Sequence, residues 1–121
     1  KTPLDRSDAA AMIERMNLLM ANENLFRDEE LSLQRMSELL GVTSHQLSNV
    51  INRELKMNFR SYLNSYRVAE ARKLLVDNPE MSVLEIAFAT GFNSKSSFNE
   101  SFLRLCGVSP REFRNKKEGG G

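Results

Sequence analysis

Apolar residues recur every three or four positions along most of the chain, which is the spacing of one face of an α-helix. The first such segment covers about residues 8–24, where Met12, Met16 and Met20 share a face. The longest covers about residues 58–76 and has a wide apolar face. No stretch alternates apolar and polar residues for long enough to predict a strand. The pattern therefore predicts an all-α protein of about seven helices.

Local signals mark where these helices begin and end. Three pairs have the spacing of a capping box, in which two side chains satisfy the free amides of a helix start. The pairs are Thr43–Gln46, Ser82–Glu85 and Ser109–Glu112. Ser7 or Asp8 is expected to cap the first helix, and Asn78-Pro79 to end the long one because the residue before proline disfavours helical geometry. In the helix expected over 94–106, apolar spacing predicts four inward side chains. These are Phe98, Phe102, Leu105 and Cys106.

Two stretches of the chain share one pattern of small, glycine and apolar positions. A small residue (Ser37 or Ala87) precedes a glycine by four positions, and an apolar residue and a polar turn follow. This is the sequence pattern of a helix-turn-helix, in which the small residue allows close crossing and the glycine permits positive φ. The first copy has six positions from Gly41 to Leu47, whereas the second has seven from Gly91 to Phe98. We interpret the difference as one extra turn residue.

Composition narrows the classes of function. The 121 residues carry a net charge of +1, which is weak evidence for a nucleic-acid partner. The charge is unevenly distributed. Residues 1–31 contain four basic and seven acidic residues, whereas residues 32–121 contain thirteen basic and nine acidic residues. One histidine and one cysteine leave little for metal or triad chemistry, so no enzyme activity, metal or cofactor is expected. No apolar run approaches about 18 residues, so no membrane contact is expected.

The helices that follow the two turns have unusual outward faces. They carry amide and hydroxyl side chains with a few basic residues, instead of the Glu–Lys pairs of an ordinary solvated helix. Such side chains fit the major groove of DNA, where Asn or Gln pairs with adenine and Lys or Arg with guanine. We therefore predict DNA contacts from Ser44, His45, Gln46, Ser48, Asn49, Asn52, Arg53, Asn93, Ser94, Lys95, Ser96, Ser97, Asn99, Glu100 and Arg104. Further phosphate contacts are expected from Lys56, Arg60, Arg111 and Arg114.

Residues 32–115 resemble the DNA-binding domain of the AraC/XylS family of bacterial transcription regulators. The most specific stretch is residues 86–114, IAFATGFNSKSSFNESFLRLCGVSPREFR, and residues 66–75, YRVAEARKLL, resemble the connecting helix of that family. The resemblance implies two helix-turn-helix subdomains joined by a long linker helix, with two recognition helices in adjacent major-groove turns. It places base reading on two groups of residues. These are His45, Ser48 and Asn49 in the first helix, and Lys95, Ser96, Ser97 and Glu100 in the second. Members of the family often have a basic residue at the position where this chain has Glu100.

The resemblance also implies a domain organisation. Residues 1–31 form an acidic segment with the first helix, 32–115 the DNA-binding domain, and 116–121 a tail. Within the domain, the expected parts are a first motif over 32–56, the linker helix over 58–76, a second motif over 82–106 and a final helix over 110–115. Because the chain begins at Lys1 and family members carry a sensing region, we expect a part of a longer protein. Its expected partners are double-stranded DNA, RNA polymerase and that missing region, and its expected place is the cytoplasm, at the nucleoid, although the full-length protein could be anchored in a membrane.

Several residues leave a second interpretation open. The face of Met12, Met16 and Met20 is expected in the core, with a partner interface as the alternative. On that alternative, the chain is a helical protein-interaction module of a larger signalling protein. Arg67 lies near the apolar seam, so we expect it to pair with a nearby acid and pack its stem. The acidic run over 28–30 is expected to be a solvated loop.

Overall fold

The computed structural model describes residues 5–119, and all regular structure among them is helical. Seven α-helices follow one another along these described residues, as predicted. They are α1 Arg6–Glu23, α2 Leu33–Leu40, α3 Ser44–Val50, α4 Phe59–Asp77, α5 Val83–Ala89, α6 Lys95–Cys106 and α7 Pro110–Gly119. A short 3-10 turn, Leu25–Arg27, follows α1, and a π-helical segment, Ile51–Leu55, follows α3. No helix of the described chain is both long and apolar enough to cross a bilayer.

The described chain divides into two compact units. The first contains the residues up to Leu25 together with Glu30–Leu63. The second contains Phe26–Glu29 together with the residues from Asn64 onward. Each unit therefore holds one copy of the repeated pattern, and α4 contributes residues to both. The short segment Phe26–Glu29 belongs to the second unit, although the residues on both sides of it belong to the first.

The core of the first unit is built from α1, α2, α3 and the start of α4. Met16, Met20 and Met36 are fully buried, and Met12 is nearly so. Leu47, Val50 and Ile51 supply the inner face of α3 and the turn after it, and they too are buried. The methionine face of α1 is thus packed inside this unit, which confirms the core interpretation and leaves that face no exposed surface for a partner.

The core of the second unit is a chain of aromatic rings. Phe92 meets Phe98 edge to face with 5.2 Å between ring centres, and Phe98 lies 5.7 Å from Phe102. Phe102 then meets Phe113 of α7 at 5.6 Å. Such edge-on contacts add to the stabilisation that burial of the rings already provides. Around this chain pack the buried aliphatic residues of α4 and α5, among them Leu75 and Ile86.

The capping boxes form as the sequence predicts. The hydroxyl of Thr43 accepts a hydrogen bond from the backbone N–H of Gln46 at 3.0 Å. The side-chain oxygen Oε1 of Gln46 accepts one from the backbone N–H of Thr43, also at 3.0 Å. The Ser82–Glu85 and Ser109–Glu112 pairs make the same reciprocal bonds. The expected cap of α1 is wrong, however. Asp5 caps this helix and accepts the amide of Asp8 at 2.8 Å, so the helix begins two residues earlier than predicted.

Three other details differ from the predicted helices. Leu105 is half exposed, because it lies one step off the stripe formed by Phe98, Phe102 and Cys106. Helix α7 extends to Gly119 instead of ending at 115, since no proline or glycine interrupts it earlier; of the tail expected over 116–121, residues 120 and 121 lie outside the described residues. The helix opened by Thr43 changes to π geometry at Ile51, and the segment ends where Lys56 adopts a left-handed conformation.

Candidate nucleic-acid interface

Each unit presents one helix that is held at its start by a short, tightly turned connection. In the first unit, Gly41 has φ of 74° and closes α2, and α3 begins three positions later. In the second unit, Gly91 has φ of 107°, and α6 begins four positions later. The extra turn residue predicted for the second copy is therefore present. In both copies, a buried or half-buried apolar residue, Val42 or Phe92, follows the glycine.

The small residues of the two motifs lie where the helices cross. Ser37 and Ala87 are both buried. Ser37 also donates its hydroxyl to the Gln34 carbonyl at 2.7 Å and lies 3.2 Å from the Ser44 hydroxyl. A larger side chain at either position would separate the two helices of its motif. Both copies therefore have the geometry of a helix-turn-helix, with α3 and α6 as the second, outward helix of each.

The exposed face of α3 is polar. His45, Asn49, Asn52 and Arg53 are exposed, whereas Ser48 is half-buried. Asn49 Nδ2 lies 3.3 Å from His45 Nε2, so these two side chains are neighbours one turn apart. Asn52 donates its amide to the Ser48 backbone carbonyl at 3.0 Å and is thereby held along the helix. The face offers an imidazole and an amide side by side, both able to bond with the edge of a base.

The exposed face of α6 carries both signs of charge. Lys95, Ser96, Glu100 and Arg104 are exposed, and none of these side chains makes a hydrogen bond or ion pair with another described residue. Asn93 is also exposed, just before the helix, whereas Ser97 and Asn99 are half-buried. This face therefore keeps most of its donors and acceptors free for a ligand.

Some predicted contact residues are already used to hold the helices. Gln46 completes the capping box of α3, and Ser44 meets Ser37 between α2 and α3. Ser94 caps α6 by accepting the Ser97 amide at 3.1 Å. Their polar atoms stabilise the two helix starts, and all three residues are half-buried. The sequence pattern predicts that they point outward but does not reveal these bonds. Arg114 was expected to contact phosphate, but the structure uses its side chain within the protein. Its guanidinium donates to three backbone carbonyls of its own unit, those of Leu75, Asn78 and Met81.

A small basic groove in the first unit adds a residue that the sequence pattern did not single out. Arg6, at the start of α1, lines it together with Arg53, Glu54 and Lys56. Arg53 is partly neutralised by Glu54 at 3.0 Å. Arg6 and Arg53 are far apart in sequence, and they come together because the start of α1 lies near the π-helical segment Ile51–Leu55. No pattern within a single helix could have indicated this cluster.

These geometries agree with two comparisons. A family model described as a helix-turn-helix domain matches residues 36–116. A solved transcriptional regulator of Chromobacterium violaceum, described as containing an AraC-type DNA-binding domain, superposes with a TM-score of 0.77 at 25% identity, covering 96% of this chain and all of that one. The chain belongs to the AraC/XylS family. This family consists of transcriptional regulators and not of enzymes, and the double helix-turn-helix of this chain is a DNA-binding domain of that family.

Three further proteins are similar to this chain. The C-terminal domain of AraT, a response regulator from Geobacillus stearothermophilus, superposes with a TM-score of 0.77 at 28% identity and covers 87% of this chain and 84% of that one. The melibiose operon regulatory protein of Escherichia coli K12 is 28% identical over 87 residues, or 72% of this chain. A helix-turn-helix transcriptional regulator of Staphylococcus aureus is 32% identical over 89 residues, or 74% of this chain. The chain spans 28% and 12% of the lengths of these last two relatives.

Proposed function

We propose that this AraC-type domain reads a specific sequence of double-stranded DNA, with α3 and α6 in adjacent turns of the major groove, and so regulates bacterial transcription. The observation that carries the proposal is the duplication. Each unit has its own helix-turn-helix and its own capped outward helix with an exposed polar face. Two reading helices in one chain would cover two groove turns, which single helix-turn-helix proteins cover by dimerising.

Base reading in the first unit is assigned to His45, Ser48 and Asn49. Asn49 is exposed, and its amide is able to bond two edge atoms of adenine at once. His45 lies beside it and offers a ring nitrogen to a base or a phosphate. Asn52 and Arg53 follow one turn later and would contact the backbone at the edge of the groove.

Base reading in the second unit is assigned to Lys95, Ser96, Ser97 and Glu100. Lys95 is the first residue of α6, is exposed, and fits guanine as a hydrogen-bond donor. Glu100 would accept from the amino group of cytosine, the one base-edge pairing that suits a carboxylate. Asn93, Asn99 and Arg104 flank these positions and are assigned to phosphate and sugar contacts.

The same proposal covers the wider setting. Residues 32–115 would be the DNA-binding part of a longer regulator, with a sensing region of the same protein and RNA polymerase as further partners. DNA binding would place it in the cytoplasm, on the nucleoid. The alternative of a protein-interaction module is less favoured, because it needs the methionine face of α1, and Met12, Met16 and Met20 are buried.

Substitution of one reading residue in each unit tests the proposal. Asn49→Ala and Lys95→Ala should each weaken binding to the preferred duplex by about 1–3 kcal/mol, and relax the choice of base at one position. Asn22→Ala and Lys73→Ala are matched controls, since these residues are exposed in the same two units but lie on α1 and α4. Fluorescence anisotropy on the preferred and on random duplexes measures the effect. Equal losses on both duplexes would rule out base reading by these residues.

A further inference from the structure

We infer that the loop between α1 and α2 helps to position recognition helix α6 in the second unit, and that Arg67 is the residue through which it does so. The inference rests on the proposed function, because positioning matters only if α6 reads DNA. The loop residues Phe26–Glu29 lie outside the matched family region of residues 36–116, yet they belong to the second unit. Three sets of contacts carry the argument.

The first set fastens the loop to α4. The ring of Phe26 is buried and stacks on Tyr66 with 6.1 Å between centres. Arg27 pairs with Glu70 one turn along at 2.5 Å. Arg67 is itself buried, as its expected packed stem requires, and donates through Nε to the Phe26 carbonyl at 2.7 Å. The backbone of the loop is thus fixed to α4, whereas the acidic side chains over 28–30 are exposed, as the sequence predicts.

A second bond from Arg67 completes its hold on the loop. Its Nη2 donates to the Asp28 carbonyl at 2.9 Å. A buried guanidinium is costly unless its donors are satisfied, and these two carbonyls satisfy part of that need. Because hydrogen bonds to a buried charge are stronger than neutral ones, the loop and Arg67 hold each other in one arrangement.

The second set of contacts reaches the turn in front of α6. The Phe26 carbonyl lies so close to Gly91 that a Cβ on that glycine would overlap it, and the same Cβ would lie 2.6 Å from Arg67 Nε. The guanidinium also stacks over the ring of Phe92 at 5.7 Å. Loop, Arg67 and turn thus form one packed layer, and the conformation of the turn determines where α6 begins.

The third set reaches the middle of α6. Arg67 Nη1 contacts Asn64 Oδ1 at 3.5 Å, and Asn64 donates to the Ser101 hydroxyl at 3.3 Å. Both Asn64 and Ser101 are buried, and Ser101 directly follows Glu100, one of the residues assigned to base reading. Phe98 and Phe102 hold α6 by packing, which has no preferred direction. The hydrogen bond from Asn64 to Ser101 adds a directional contact at the middle of the helix.

This arrangement predicts an effect on reading that is separate from stability. A recognition side chain must sit within about 0.5 Å of its working position to bond a base edge. Without Arg67, the turn and the middle of α6 both lose their fixed reference, so discrimination at the bases read by α6 should fall. Helix α3 belongs to the other unit, so the bases that it reads should still be read.

The test uses Arg67→Met with Arg114→Met as its matched control. Arg114 lies in the same unit and also donates to three protein carbonyls, but these belong to Leu75, Asn78 and Met81 and not to the turn or to α6. Both variants should lower stability. Each is studied as the 121-residue chain at a temperature where circular dichroism shows it folded. Ser101→Ala removes only the hydrogen bond between Asn64 and Ser101, and it replaces Arg67→Met as the test if that variant does not fold.

The readout is hydroxyl-radical footprinting and base preference on the duplex selected by the wild-type chain. For Arg67→Met we expect discrimination in the block read by α6 to fall about 10-fold or more, with the other block unchanged. Ser101→Ala should show the same pattern, and Arg114→Met should keep both blocks. The inference is overturned if Arg67→Met and Ser101→Ala keep full discrimination in that block, or if Arg114→Met loses it equally. A wild-type chain that selects no duplex overturns the proposed function and this inference together.

Discussion

Replacing Gly91 by alanine should damage the second unit far more than the same change at Gly41 damages the first. The two glycines hold the same position in the repeated motif, and both have positive φ, 107° and 74°. They differ in their surroundings. A Cβ at Gly41 meets nothing within 4 Å, whereas a Cβ at Gly91 overlaps the Phe26 carbonyl and crowds Arg67. The pair therefore separates the cost of conformation from the cost of contact.

The magnitudes follow from these surroundings. A left-handed conformation costs an alanine about 1–2 kcal/mol, and this is the whole expected loss at Gly41. At Gly91 the Phe26 carbonyl must also move away from the Arg67 guanidinium, which costs about 1.5–3 kcal/mol for a buried bond to a charged group. We therefore expect Gly91→Ala to lower the free energy of unfolding of its unit by about 2.5–5 kcal/mol.

Urea unfolding followed by two-dimensional NMR measures this difference. The chain has no tryptophan, so fluorescence is a poor probe, whereas amide signals report on each unit separately. Signals from Phe102 should lose about 1.5–3 kcal/mol more stability in Gly91→Ala than signals from Met16 lose in Gly41→Ala. Equal losses in the two variants would refute the close packing of the Phe26–Glu29 loop against the turn.

Three further predictions rest on single groups. Thr43→Ala removes one half of a capping box and should cost about 1 kcal/mol in urea unfolding. Ser96→Ala serves as the control, since this exposed hydroxyl bonds with no other described residue. Burial raises the pKa of the Cys106 thiol, with the Arg72 guanidinium opposing it, so alkylation by iodoacetamide at pH 8 should be slower in the folded chain than in urea; equal rates would contradict this. The Ser109 amide and hydroxyl lower the pKa of Glu112, so its contribution to stability is present above the ordinary glutamate pKa and is lost as the pH falls through the lowered value. Glu112→Gln should remove that part of the acid dependence, and an unchanged profile would contradict the assignment.

Features that depend on neighbouring residues could be predicted from the sequence. The helix starts at Thr43 and Ser82 follow from side chains three positions apart, and both boxes form. The duplicated motif follows from small, glycine and apolar spacing, and even the extra residue after Gly91 is present. Stripes of apolar residues likewise predicted the buried face of α1. These features are local, so one stretch of sequence contains all the information they require.

Features that depend on distant packing could not be predicted. Nothing near Phe26 indicates that its carbonyl bonds with Arg67, 41 positions along the chain. The basic groove of Arg6 and Arg53 depends in the same way on two elements far apart in sequence. The sequence predicts that α3 and α6 have polar outward faces, but not which polar atoms on them are already bonded, as the capping role of Gln46 shows.

The central claim is that the two units read DNA sequence together, and selection of duplexes from a random pool by the 121-residue chain tests it most directly. The selection is run at several salt concentrations, since neutralised phosphates make binding weaken as salt rises. We expect an asymmetric site of two blocks about one helical turn apart, with affinity falling steeply with salt. Recovery of a single block would contradict reading by both helices. Recovery of no preferred sequence at low salt would contradict the claim as a whole.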